Sequence, residues 1–173
     1  GSKNGALPAL AATLLTDEPV TLRRLPALRD VQVLGEIMEG LGVSVTMEGR
    51  HTGRFEAATL TSHAPDRALC QELRASFLLA GPLLAREGRA VLPRPGGDRI
   101  GRRPLDAHIE AFRQMGVEIE IGPDTYTMHA PNGLRPADIF LVEMSVMGTE
   151  NVLMAAALTP GTTRLCNAAS EPH

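Results

Sequence analysis

Arg74-Ala-Ser-Phe-Leu-Leu-Ala-Gly-Pro-Leu-Leu84 leads through a break at Gly88 into Ala90-Val-Leu92. The first run is apolar and small on every side, so it predicts a helix buried nearly all round. It is too short, and too interrupted by Gly81 and Pro82, to span a bilayer. The same plan occurs twice more. Leu7-Pro-Ala-Leu-Ala-Ala-Thr-Leu-Leu15 runs to a break at Glu18-Pro19 and then to Val20-Thr-Leu22. Asn151-Val-Leu-Met-Ala-Ala-Ala-Leu158 runs to Pro160-Gly161 and then to Thr163-Arg-Leu-Cys166. The three breaks recur about every 70 residues, a spacing that marks an internal structural repeat.

A second element recurs between them. Val33, Leu34, Ile37, Met38 and Leu41 fall at helical spacing and end at Gly42, a suitable residue past a helix C-terminus. The alternating Val43-Ser-Val-Thr-Met47 follows. His108 to Met115 repeats the pattern, with Ile109, Phe112 and Met115 on one face, then Gly116 and Val117-Glu-Ile-Glu-Ile121. Pro123-Asp124 turns into a further strand, Thr125 to His129. The repeating unit is therefore buried helix, strand, amphipathic helix, strand, strand, with the amphipathic helices expected to cover one sheet face. The third copy stops at Ser170-Glu-Pro-His173, where its amphipathic helix should begin, and the first copy begins without a leading strand.

Composition narrows the function. Of 173 residues, 43% are hydrophobic and 21% charged, which suits a folded domain and not a disordered chain. A net charge of -3 with 3% aromatics argues against nucleic acid, which needs a basic face or stacking rings. No run approaches 18 uninterrupted apolar residues, and no charged and apolar leader opens the chain, so neither a membrane span nor a secretory signal is expected. Cys70 and Cys166 lack CxxC spacing and sit among apolar residues, so both are expected as reduced core thiols. The five histidines show no metal spacing, and no metal or cofactor is expected. No GxSxG, Walker loop or GxGxxG occurs.

Four places could carry chemistry. Lys3 is the one lysine among 17 basic residues, and with Asn4 it directly precedes an apolar helix. An ammonium there would join backbone N–H groups that favour an anion, although a terminal lysine can equally be solvated. Arg94 to Arg103 holds four arginines, one acid (Asp98), and three glycines, a concentration of positive charge in a negative chain. Arginine forks in such a loop suit phosphate or carboxylate, and the glycines suit a lid; a solvated surface loop is the alternative. Arg74 opens the second buried helix much as Lys3 precedes the first, and Glu143-Met-Ser-Val-Met-Gly-Thr149 precedes the third. Convergence of three such helix starts would make one anion site.

Ser-Lys-Asn-Gly-Ala-Leu-Pro8, Arg74 to Arg86, Leu92 to Ile109, Met144 to Leu158 and Gly161 to Pro172 together resemble the UDP-N-acetylglucosamine 1-carboxyvinyltransferase (enolpyruvyl transferase) family, over essentially the whole chain and in order. The resemblance implies an α/β (α+β) fold, an inside-out α/β barrel of repeated βαβαββ units with the third repeat incomplete. Residues 1–173 would be most of one domain, about two and a half repeats, of an enzyme with two such domains and more than twice this length. The implied reaction moves the enolpyruvyl group of phosphoenolpyruvate to the 3-hydroxyl of UDP-N-acetylglucosamine and releases phosphate, the first committed step of peptidoglycan synthesis in the cytoplasm. By resemblance, Lys3, Asn4 and Arg103 hold phosphoenolpyruvate. Arg74, Arg103, Pro104, Leu105, Asp106, Ala107, Glu143, Met144, Ser145 and Val146 form the nucleotide-sugar site.

Two positions depart from the family pattern. The loop residue after Pro-Gly-Gly, commonly a cysteine proposed to protonate the enolpyruvyl methylene, is Asp98. A carboxylic acid can do this if its pKa is raised, and burial would raise it while the nearby arginines would lower it. Fosfomycin attacks that cysteine, so Asp98 predicts insensitivity. Met147 stands where the family often has glycine. The family's catalytic base and several arginines lie in the second domain, so that half is an expected partner and the chain alone should not turn over. The alternatives are an enolpyruvyl transferase with another acceptor, such as shikimate 3-phosphate, and a non-catalytic half-domain acting as a binding module.

Overall fold

The computed structural model describes residues 1–97 and 104–173. Helix α1 (Lys3–Ala12) continues as a 3₁₀ turn, Thr13–Leu15, and is followed by β1 (Val20–Arg23), α2 (Arg29–Gly40), β2 (Ser44–Met47) and β3 (Thr52–Glu56). The second stretch holds α3 (Arg67–Glu72), a 3₁₀ segment Arg74–Leu79, α4 (Ala80–Glu87), β4 (Arg89–Pro93), α5 (Asp106–Gln114), β5 (Glu118–Ile121) and β6 (Thr125–His129). The third holds β7 (Asp138–Phe140), α6 (Val146–Ala157) and β8 (Arg164–Cys166).

The repeat is visible in the pairing. β3 lies between β1 and β2, antiparallel to both, and β6 lies between β4 and β5 in the same way. Phe55 faces Val20 and Val45 in the first sheet; Met128 faces Ala90 and Ile119 in the second. Phe55 and Met128 are both buried, so the register is fixed by the one face that leaves water. β7 and β8 pair in parallel around α6, a βαβ crossover.

The helices without a polar face are inside. Leu10, Ala11, Leu83, Val152 and Ala155 have no exposed surface, and α4 packs along α6 and against the end of α1. The sheets are outside, with β2 and β5 mostly exposed. α2 buries Val31, Leu34, Ile37 and Met38 at helical spacing and sits between α1 and β2. α5 buries Ile109 and Phe112 and sits between α6 and β5. Each amphipathic helix thus covers a sheet as its periodicity requires, and its apolar stripe also meets an inner helix. Gly42 and Gly116 take φ of +101° and +93° just past these helices, the left-handed turn that ends each one without a Cβ penalty.

Some local expectations shift. Lys3 and Asn4 are the first residues of α1 itself, with Ser2 just before them accepting the Ala6 N–H through its backbone carbonyl. Arg74 opens a 3₁₀ segment instead of an α-helix, because Leu73 is extended and breaks the chain away from α3. Cys70 is buried, but Cys166 is exposed: on β8 Leu165 faces inward, so its neighbours face out.

Candidate active site

α4 and α6 approach closely because residue 81 is glycine. A Cβ there would meet the Asn151 carbonyl oxygen at 2.5 Å and its Oδ1 at 2.9 Å. The starts of α1, the Arg74–Leu79 segment and α6 lie at one end of the helix cluster. They enclose a cleft of about 330 Å³ lined by Lys3, Asn4, Leu7 and Pro8 from α1, the extended Leu73, Arg74, Ala75 and Leu78 from the 3₁₀ segment, and Val146, Met147 and Glu150 from α6. Asp30 of α2, Glu72, Gly97 and Glu171 complete the wall. The three helix starts singled out in the sequence therefore converge.

The charges of this wall are paired in part. Lys3 Nζ lies 3.0 Å from Asp30 Oδ2. Arg29 bridges Glu36 and Glu72 at 2.7 and 3.2 Å, and these two carboxylates raise its pKa. Arg74 donates to the Pro104 carbonyl at 3.3 Å, which ties the start of the 3₁₀ segment to the approach to α5. Glu150 accepts from His173 Nε2 at 2.8 Å; burial raises its pKa while the His173 contact opposes the rise. Among the described residues, two cations (Lys3 and Arg74) and four acids (Asp30, Glu72, Glu150 and Glu171) line the cleft. An anion entering it would need further positive charge.

The other sequence-predicted residues are placed as follows. Asp98 and Arg103 lie outside the described residues. Pro104 and Asp106 are exposed at the start of α5, whereas Leu105 and Ala107 are buried, and none of the four lines the cleft. Ser145 caps α6, its hydroxyl accepting from the Gly148 N–H at 3.0 Å. Glu143 and Met144 are exposed on the run into α6 and do not line the cleft. Met147 does line it.

Arg94 does not share the anion-binding reading of the loop. Its guanidinium donates to the carbonyls of Pro123 and Gly122 at 2.6 and 3.1 Å and to the Tyr126 hydroxyl at 3.1 Å, and it lies 5.1 Å from the centre of that ring. It is committed to the turn between β5 and β6. Gly96 and Gly97 donate backbone hydrogen bonds to Cys70 and Gln71 at the end of α3, and a Cβ on Gly96 would collide with the Gln71 carbonyl.

Sequence reasoning missed Asp30, Glu72, Glu150 and Glu171. Asp30, in the first turn of α2, was the one with a local signal, an acid at a helix start. Cys70 is no nucleophile: burial pushes its thiol up to about 11. A larger cleft of about 470 Å³ between α2 and the β2–β3 pair contains none of the sequence-predicted residues. Among the described residues, no group of three or more His, Cys, Asp or Glu is placed to hold a metal ion. No helix among them is long and apolar enough to cross a membrane.

Comparison with known proteins gives this geometry a context. The profile of the EPSP synthase (3-phosphoshikimate 1-carboxyvinyltransferase) family matches residues 1–173. The chain is similar to proteins named UDP-N-acetylglucosamine 1-carboxyvinyltransferase from Bradyrhizobium diazoefficiens and Treponema pallidum, 48% identical to each across the whole chain, and from Treponema denticola, at 44%. It spans about 40% of the length of each. Among solved structures, the enolpyruvyl transferase NikO from Streptomyces tendae superposes with a TM-score of 0.81 over 95% of this chain and 39% of its own, at 22% identity. An EPSP synthase from Acinetobacter baumannii superposes at 0.74 over 100% of this chain and 40% of its own, at 17% identity. At those identities the two structures speak for the α/β enolpyruvyl transferase fold alone.

Proposed function

The chain belongs to the EPSP synthase (3-phosphoshikimate 1-carboxyvinyltransferase) family, and from that premise we propose that it is most of one domain of a UDP-N-acetylglucosamine 1-carboxyvinyltransferase. The observation that carries this reading is the convergence of Lys3, Asn4, Arg74 and Val146 on one cleft at three helix starts. An ammonium and a guanidinium beside the starts of α1 and α6 form an environment for phosphate and carboxylate. UDP-N-acetylglucosamine is favoured over shikimate 3-phosphate as acceptor because the relatives at 44–48% identity carry that name, while the solved EPSP synthase shares 17%.

In the proposed reaction, C2 of phosphoenolpyruvate takes the oxygen of the sugar 3-hydroxyl, whose proton passes to the base of the second domain, while the methylene takes a proton. The tetrahedral adduct then loses a proton from that methyl carbon, and phosphate leaves with its bridging oxygen. Lys3 and Arg103 stabilise the phosphate and carboxylate, with Asn4 beside them. Asp98 supplies the first proton. Arg74, the segment from Arg103 to Ala107, and Glu143 to Val146 hold the nucleotide sugar. Charge that develops on phosphate is best stabilised by groups already fixed in place, which helix starts provide.

The excess of acids in the cleft supports a second part to the proposal. Among the described residues two cations against four carboxylates make a poor site for a phosphate dianion, so beyond Arg103 a second domain supplies further arginines and the base, and the 173 residues alone do not turn over. Peptidoglycan synthesis in the cytoplasm is the corresponding role. The test is phosphate release from phosphoenolpyruvate by the full-length protein, with UDP-N-acetylglucosamine or shikimate 3-phosphate as acceptor. Release with the nucleotide sugar alone is expected. Release with shikimate 3-phosphate alone, or with neither, rejects the reading.

A further inference from the structure

The residue that ties the cleft's supports together does not line the cleft. Asn151 is fully buried on α6, five residues past Val146. Its Oδ1 accepts from the Gly81 N–H at 2.8 Å. Its Nδ2 donates to the Phe77 carbonyl at 2.9 Å and lies 2.9 Å from His108 Nδ1. The two backbone partners orient the amide, because only the oxygen can accept from an N–H and only the NH₂ can donate to a carbonyl. The second Nδ2 hydrogen then points at His108 Nδ1. That nitrogen must be an unprotonated acceptor, and the ring proton sits on Nε2.

Each member of this network stands just behind a segment that borders the cleft. Phe77 is three residues past Arg74. His108 is two past Asp106 and four past Pro104, whose carbonyl accepts from Arg74. The His108 ring also stands edge-on to Phe77, with centroids 5.1 Å apart. Lys3 and Asn4, on α1, lie outside these contacts. We propose that Asn151 and His108 are positioning residues for the acceptor: their hydrogen bond holds the starts of the Arg74–Leu79 segment, α5 and α6 in mutual register, so that a nucleotide sugar meets a preset geometry. The inference rests on the proposed function. Burial and the neighbouring Arg74 charge both oppose protonation of His108, whose pKa is lowered to about 3, so the ring stays an acceptor.

The test is made in the full-length protein. His108→Asn places Oδ1 close to the position of Nδ1 and keeps an acceptor for Asn151. His108→Leu removes it. Both variants lose the ring contact with Phe77 and neither changes the charge at neutral pH, whereas only His108→Asn keeps the acceptor. Steady-state kinetics and calorimetric titration with UDP-N-acetylglucosamine are read together. His108→Asn is expected within about threefold of wild type. His108→Leu is expected to raise the KM and Kd for the nucleotide sugar about tenfold, with kcat and the KM for phosphoenolpyruvate nearly unchanged. If His108→Leu does not fold, His108→Gln replaces it, since its oxygen falls near Nε2 and misses Asn151. Equal affinities for the acceptor-keeping and acceptor-lacking variants overturn the proposal, as does an equal rise in both KM values. A wild-type protein that binds no UDP-N-acetylglucosamine overturns the functional reading instead.

Discussion

The Lys3 ammonium and the Asp30 carboxylate meet at 3.0 Å, joining the first turn of α1 to the first turn of α2 at the edge of the cleft. Both side chains keep over a third of their surface in water, at 46% and 36%. An ion pair so exposed contributes about 1 kcal/mol at most to folding. Lys3→Ala should therefore leave the urea midpoint of the full-length protein almost unmoved, while lowering phosphate release about 100-fold or more if the ammonium faces the transferring phosphate. Lys3→Arg should not restore the rate, because a planar fork does not replace a compact ammonium. A large fall in stability alongside the loss of rate would make Lys3 a structural residue.

Two glycines separate close packing from chain flexibility. Gly81→Ala drives a methyl group against the Asn151 backbone and amide, neither of which can swing away. It should cost about 1–3 kcal/mol, the usual range for overpacking a filled core. Gly35, inside α2, has nothing within 4 Å of its missing Cβ. Gly35→Ala should stabilise by about 0.4–1 kcal/mol, chiefly by restricting the unfolded chain. Chemical denaturation of both variants checks the pair; a destabilised Gly35→Ala would refute the second half.

The helices and the repeat were legible because buried helices and amphipathic helices write their burial into local residue order. Thr125–His129 appears in the structure with the bounds expected after the Pro123-Asp124 turn. Strands β3 and β7 were not legible. Thr52-Gly-Arg-Phe-Glu56 turns one large apolar side chain, Phe55, inward, and Asp138-Ile-Phe140 is only three residues long with Phe140 exposed. The cleft was half legible. Lys3 and Arg74 announce themselves by charge before apolar runs. Asp30, Glu72, Glu150 and Glu171 come from separate elements, and no local spacing joins them. Arg94 was misread because charge counting cannot tell a guanidinium aimed at a ligand from one spent on three neighbours in a turn.

Asp98 in place of the loop cysteine makes a chemical prediction from sequence. A carboxylate does not open the epoxide of fosfomycin as a thiolate does, so the full-length protein should keep its activity at fosfomycin concentrations that inactivate cysteine-bearing relatives. Asp98→Ala should lower turnover about 100-fold, within the range for loss of a general acid. Intact turnover in Asp98→Ala would remove Asp98 from the proton-transfer role. A covalent fosfomycin adduct on this chain, seen by mass spectrometry, would refute the insensitivity.

His108 gives the fold a defined acid weakness. In the unfolded chain the ring takes up its proton near the ordinary 6.5; in the folded chain it does so only at about 3, because burial and then the Arg74 charge oppose it. Between those values the unfolded state binds more protons, so stability rises with pH across the window and falls as pH drops from 6.5 toward 3. The slope from this one group approaches about 1.4 kcal/mol per pH unit once the unfolded ring is fully protonated. His108→Asn cannot titrate and keeps an acceptor for Asn151. Unfolding free energies measured from pH 7 to pH 5 should therefore fall more steeply for wild type than for His108→Asn, with the two curves separating below about 6.5. Parallel curves would mean that His108 protonates as readily in the folded protein as in the unfolded chain, and that burial and the Arg74 charge do not hold it neutral.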